Sequence, residues 1–272
     1  MALALPLAVL LAAKALPASE KSPAAGGCPA HARVEVNLPA WKAALEQADT
    51  EQRRDDLLAE VKLELPETPE AETPEAARAQ RLALAGLEDT VVPLEADGRA
   101  DHVLQLRYRA GSEDAPTIHL VQVLRPLAGR AYCALGAELS RREEPPAKLV
   151  SYALAFVPLV SAKAKVIQVE SVVGEARRSE TRRAYFVARG SRLQKIFDEP
   201  LGHMTSGEGA TTTTVGTLKL AGDFPKRIEL TEATKRGGCE VRAGDNTPCE
   251  GGGAETATTT FVYDGARYVR QK

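Results

Sequence analysis

Aromatic residues make up only 4% of this chain, and Trp41 is its single tryptophan. Proteins that hold single-stranded nucleic acid stack bases on aromatic side chains, so this scarcity argues against that class. Charge of one sign is also missing: 35 basic and 37 acidic residues leave a formal net charge of −2. A global pull toward nucleic acid or an anionic membrane needs summed positive charge. Long apolar runs are absent too. The uncharged stretch from Leu149 to Ala162 carries Pro158 and falls short of the roughly 20 residues that span a bilayer. It reads as a buried strand.

Histidine and cysteine number four each. Their spacings contain no C-x-x-C and no H-x₃₋₅-H, which sets zinc aside. The chain also lacks a G-x-S-x-G elbow, an H-E-x-x-H pair, a P-loop, and a G-x-G-x-x-G after a strand. His203 lies close in sequence to Ser206 and Glu208, yet hydrolase triads draw on distant elements and the stretch reads as a mobile loop. No cofactor is implied, and the expectation is a protein without catalytic function. The alternatives are a secreted hydrolase with an unrecognised active site or a calcium-dependent adhesive module.

What is present bears on compartment and architecture. Ala2 to Ala13 is uncharged and rich in Leu and Ala, the length of a signal-peptide apolar region, although no basic residue precedes it and Lys14 interrupts it. Residues 1–18 are therefore expected to be a signal peptide, and the protein periplasmic or secreted. The cysteines fit that reading. Cys239 and Cys249 bracket a turn-rich loop that a disulfide can close, which leaves Cys28 for Cys133. Lipidation of Cys28 is the competing reading, and it would strand Cys133 as an odd thiol.

Residues 19–65 are expected to be a helical N-terminal appendage. Pro39 suits a first helical turn and Asn37 a cap. Trp41, Leu45 and Ala48, then Leu57, Leu58 and Val61, form two apolar patches, so one amphipathic helix or two short ones follow. The tandem ETPEA-ETPEA at 67–76 cannot bury a core and marks a stiff linker. Its end carries helix signals, with Thr73 as cap, Pro74 in the first turn and Gly86 as stop. Linker and short helix together cover residues 66–94.

From residue 95 to 272 the pattern is that of an antiparallel β domain. Leu104, Leu106 and Tyr108 alternate with Gln105, Arg107 and Arg109. Pairing this run with 117–125 around the polar turn between them places Leu106 opposite Leu120, Tyr108 opposite Ile118 and Arg107 beside His119. That register keeps His102 and His119 about five rungs apart, too far to share a metal. Further strand-like runs at short intervals end in a hairpin at Asp264-Gly265. The fold class expected is mainly β: an antiparallel sandwich, barrel or propeller-like sheet with a short helical N-terminal appendage.

Three features carry ligand chemistry. In EADGRAD, Asp97, Gly98 and Asp101 match the last positions of a D-x-D/N-x-D-G-x-x-D calcium loop, with Glu95 at the middle acidic position and Pro93 at the first. The stretch resembles the loops of FG-GAP-type propeller repeats, which implies calcium at Asp97 and Asp101; the plain reading is a polar turn before a strand. Arg177, Arg178, Arg182 and Arg183 cluster with Glu175 and Glu180 near a turn. They form an anion-binding candidate for an unknown protein or a polyanionic glycan, against the plain reading of a charged hairpin end. The threonine runs at 210–217 and 256–260 suit solvent-facing strands. No nucleic acid and no integral membrane span are expected, and the function is that of an exported binding or structural β-domain.

Overall fold

The period-two patterns fold into two antiparallel sheets, one covered by a helix pair, in the computed structural model of the chain. It describes residues 27–65, 82–109, 117–136, 139–142, 148–175, 178–207, 210–237 and 254–271. A 3-10 turn at Ala30–Ala32 leads into β1 (Arg33–Glu35), α1 (Leu38–Glu46) and α2 (Glu51–Glu60). Strands β2 (Ala83–Val92), β3 (Asp101–Arg109), β4 (Thr117–Pro126), β5 (Ala131–Leu135) and β6 (Arg141–Arg142) follow. The rest of the described chain is β7 (Lys148–Val157), β8 (Val166–Glu175), β9 (Arg178–Arg189), β10 (Arg192–Gly207), β11 (Ala210–Ala221), β12 (Arg227–Gly237), β13 (Ala254–Tyr263) and β14 (Tyr268–Arg270).

Sheet A runs β1-β5-β4-β3-β2, with β6 added on β4, and sheet B is an eight-strand meander from β7 to β14. Both are open. The β3–β4 register is the one its apolar stripes require: Leu106 faces Leu120, Tyr108 faces Ile118 and Arg107 faces His119. The final hairpin is present, but its turn holds four residues rather than two. Tyr263 pairs with Tyr268, and the Asp264 carboxylate accepts the amides of Ala266 and Arg267.

Three apolar layers result. Leu104, Leu106 and Tyr108 point from sheet A toward Trp41, Leu45, Leu57 and Leu58 of the helices. Val103, Val121 and Val123 point the other way and meet Tyr152, Ile167 and Phe186 of sheet B. On the far face of sheet B, Tyr185, Phe197, Leu230, Phe261 and Tyr268 form a third cluster. Each fully buried large side chain contributes about 1.5–3 kcal/mol of transfer free energy. The helices bury their apolar sides against sheet A. They are two short ones, with Asn37 accepting the Ala40 amide and Thr50 accepting that of Arg53. Trp41 is 3% exposed, and its indole donates to the Leu57 carbonyl at 2.7 Å.

The start of the sheet corrects the sequence reading. The helix expected to stop at Gly86 is not there: residues 83–92 form strand β2, and Gly86 sits where the pairing slips between Leu84 and Gly86. That bulge shifts the alternation by one residue, so the apolar pattern loses its period of two. The sheet thus begins before residue 95, with β1 and β2. The first part of that expected helix, with Thr73 and Pro74, and the ETPEA repeat lie outside the described residues.

Two close backbone approaches and one disulfide constrain the fold. Where β10 shifts register between Pro200 and Gly202, a Cβ on Gly216 would lie 2.3 Å from the Leu201 carbonyl oxygen, and one on Gly202 would lie 2.8 Å from that of Thr214. Only glycine lets these backbones meet. Cys28 is bonded to Cys133 with a Cα–Cα distance of 5.6 Å, which ties the segment before β1 to β5. The Cys239–Cys249 pairing lies outside the described residues.

Candidate functional site

The joint between α1 and α2 does not seal against sheet A. Gln47 ends the first helix and Thr50 caps the second, and the short connection shares a cavity with Leu84 of β2 and Tyr108 of β3, which pair with each other. Beneath it lies a cavity of about 340 Å³, within the size range of small-molecule sites. Leu45 from α1 and Leu82 and Leu84 from the β2 side supply apolar walls. Glu46 and Asp49 stand exposed at the rim, and Tyr108 of β3 lines the interior.

Tyr108 is fully buried, and its Oη is one of three buried side-chain polar atoms without a hydrogen-bond partner among the described residues. Burial pushes its phenol up to about 12, opposed by the charge of Arg54 and aided by Asp55. The hydroxyl is therefore a neutral group with hydrogen-bonding capacity unspent. Arg54 lies over the ring, with its guanidinium carbon 5.9 Å from the centroid. Its Nη1 donates to the Leu82 carbonyl at 3.1 Å and its Nε to Asp55 at 2.9 Å. These bonds hold the guanidinium as part of the wall.

A polar cluster lies in the same helix–sheet layer. Asp89 of β2 accepts from Lys42 Nζ at 2.8 Å and contacts His102 Nδ1 at 3.0 Å. The His102 ring also meets the edge of Tyr132 at 5.8 Å. The cluster clips α1 to the sheet. His119 occupies the opposite face of sheet A, against Tyr152 at 4.7 Å between ring centroids. Burial, with the charge of Arg107, lowers its imidazole to about 4, so it is neutral at pH 7. Thus the two histidines do not converge.

The acidic residues of EADGRAD are brought to arginines. Asp101 is 1% exposed, and Arg125 binds both its oxygens, Nε to Oδ1 at 2.8 Å and Nη2 to Oδ2 at 3.2 Å. Glu95 joins the same guanidinium at 2.8 Å and also accepts the Gly190 amide, while Arg125 Nη1 donates to the Gly190 carbonyl. Asp97 is turned away, toward Arg99. The Arg99 amide holds its carboxyl below the usual range, against slight burial, with help from the guanidinium. No group of three or more His, Cys, Asp or Glu side chains is placed to hold a metal ion among the described residues.

The basic cluster is split by its strand. Arg183 pairs with Glu170 on β8, whereas Arg182 donates to Asp198 at 2.8 Å and to Glu180 at 2.9 Å. Burial raises the Asp198 carboxyl, and hydrogen bonds from Lys195 and Arg182 outweigh it, leaving it below the ordinary range. Arg178 is exposed at the start of β9, and Arg177 lies outside the described residues. His203 is part of strand β10 rather than a mobile loop, its Nε2 lying 3.5 Å from Thr214 Oγ1. The threonines form cross-strand pairs, Thr214 with Thr234 at 3.0 Å and Thr231 with Thr258 at 3.2 Å.

Sequence patterns singled out none of the cavity's polar groups. Tyr108 read as one more apolar strand position, and Arg54 was not singled out. Their meeting depends on the packing of α2 over β3. No protein-family model matches the chain, and no curated protein or solved structure matches it.

Proposed function

We propose that this is an exported, non-catalytic binding protein whose ligand enters the cavity between the helix joint and sheet A. The observation that carries this reading is a cavity of small-molecule size between the helix joint and sheet A, walled by Leu45, Leu82 and Leu84 with Glu46 and Asp49 at its rim. Export is supported by the Cys28–Cys133 disulfide and by the apolar N-terminal run, because such bonds persist in oxidising compartments.

Two measurements test the reading. Expressed with its own N-terminus, the chain should be recovered outside the cytoplasm, shortened at its start and with Cys28 and Cys133 oxidised. A reduced chain in the cytosol would overturn export. For the site, a thermal-shift screen of small molecules should give stabilising ligands whose effect disappears in Leu84→Trp, which fills the cavity. Hydrolysis of an ester or peptide substrate that is lost in His203→Ala would overturn the non-catalytic assignment.

A further inference from the structure

One end of sheet B gathers positive charge, although the whole chain carries a net charge of −2. The meander places the β7–β8, β9–β10, β11–β12 and β13–β14 turns at this same end. Hydrogen bonds tie them together. The Lys226 amide donates to the Leu159 carbonyl at 2.9 Å, Arg189 Nη2 to the Gly265 carbonyl at 2.7 Å, and Tyr268 Oη to the Lys226 carbonyl at 2.7 Å. Lys163 and Lys165 stand on the first turn, Arg189 and Arg192 flank the second, Lys226 and Arg227 end the third, and Arg267 lies on the fourth. None of these cations is in an ion pair among the described residues. Against them the turns carry the carboxylates of Asp223 and Asp264, and Asp264 is bound to the amides of its own turn. Glu95 of sheet A reaches the second turn, where Arg125 and the Gly190 amide take it up.

A pairing and an exposed ring set this end apart from an ordinary solvated surface. Arg189 lies directly opposite Arg192 in the β9–β10 register, and like charges so placed destabilise a hairpin. On the β11–β12 turn, Phe224 is 41% exposed, the one aromatic among the large apolar side chains that stand exposed in the described residues. Pro225 beside it is exposed as well, and Lys226 Nζ lies 5.1 Å from the ring centroid. An apolar tip ringed by cations matches the interface of an anionic bilayer, where the ring enters the headgroup layer and the cations meet phosphates. A polyanionic glycan would use the cations but offers the ring no apolar phase.

We infer that this end of sheet B docks on the surface of an anionic phospholipid bilayer, with Phe224 entering the headgroup layer. The inference goes beyond the cavity reading and does not depend on it. Because the chain as a whole is slightly negative, the attraction belongs to this end and fixes the orientation of the docked molecule.

Flotation of the purified, oxidised full chain with vesicles tests the inference. Vesicles of equal parts phosphatidylglycerol and phosphatidylcholine should carry the protein, vesicles of phosphatidylcholine alone should not, and added salt should release it. Lys163→Gln/Lys226→Gln/Arg227→Gln should weaken binding about a hundredfold, at about fivefold per charge, with the melting temperature unchanged. Arg178→Gln, at the other end of β9, should leave binding as it was. Phe224→Ser should weaken binding about tenfold. In Phe224→Trp the added fluorescence should shift to the blue on anionic vesicles, Trp41 being buried already.

Equal recovery on both kinds of vesicle, or no loss in the triple variant, would overturn the electrostatic docking. An unshifted spectrum of Phe224→Trp on vesicles that hold the protein would overturn the insertion of the tip. Failure to float on anionic vesicles would overturn the inference outright, and heparin binding that Phe224→Ser leaves unchanged would then assign the same cations to a polyanionic glycan.

Discussion

Arg125 holds both carboxylate oxygens of Asp101, at 2.8 and 3.2 Å, in the layer between the two sheets. The pair is almost fully buried, and the same guanidinium reaches Glu95 and the Gly190 carbonyl. Removing Asp101 takes two charge-assisted bonds from a buried guanidinium whose remaining carboxylate, on Glu95, is part-exposed. Asp101→Ala should therefore lower the unfolding free energy by about 3–5 kcal/mol in urea titrations. Replacing both residues with apolar ones, Asp101→Leu with Arg125→Met, should recover most of that loss. A double variant as unstable as the single one would contradict this account.

The same geometry bears on calcium. A guanidinium sits on Asp101 and another on Asp97, and calcium needs six to eight oxygen ligands. Thermal melts with calcium and with chelator should coincide. A stabilisation that is lost in Asp97→Asn would reinstate an ion-binding loop.

The disulfide closes 105 residues of chain. Cys28→Ser/Cys133→Ser should reduce stability by about 2–5 kcal/mol, read from the shift of the urea midpoint. The parent protein in reducing buffer should match the double variant, and an unchanged midpoint would mean that the bond contributes nothing.

His119 predicts a pH dependence with a definite sign. Its imidazole falls to about 4 in the folded protein through burial and the charge of Arg107, and Arg141 stands beside it on β6. The unfolded chain therefore binds more protons than the folded one between about pH 6.5 and pH 4. The stabilisation is fully present above that window and is lost as pH falls through it. His119→Asn should flatten the stability profile there, while a slope equal to the parent's would assign the effect to other groups.

Gly216 offers a steric test. A methyl group there meets the Leu201 carbonyl and Leu230 Cδ1 at 2.3 and 2.9 Å. Gly216→Ala should cost at least about 1–3 kcal/mol. Gly129→Ala, in open space on a turn, should cost less, through its positive φ alone. Equal losses would mean that β10 and β11 are free to part.

Much of the architecture could be read from residue patterns alone. The β3–β4 register followed from keeping Leu106 against Leu120 and Tyr108 against Ile118, because a one-residue slip would turn both stripes outward. Asn37 was legible as a cap because its side chain serves a local amide. Strand β2 was not legible, since its bulge breaks the alternation and Gly86 imitates a helix stop. The cavity was not legible either. Tyr108, Arg54 and Glu46 belong to separate segments, and each has an ordinary local reason to be where it is. Glu95 and Asp101 were visible as charged residues, yet their partner Arg125 lies 24 positions beyond Asp101 and carries no local signal.

The placement of β1 governs the order of assembly. Along both sheets, each strand lies beside its neighbour in the chain, with β1 on β5 and β6 on β4 as the exceptions. Hairpins can form as soon as their two arms exist, whereas Arg33 must wait for Cys133. Closing a loop of that length costs about 4 kcal/mol of chain entropy for a three-residue strand. Strand β1 should therefore dock late, and the Cys28–Cys133 bond, a few residues ahead of it, tethers it to β5. Pulsed hydrogen exchange during refolding should show the Val34 amide protected after those of β8 and β9. Earlier protection at Val34 would reverse the order.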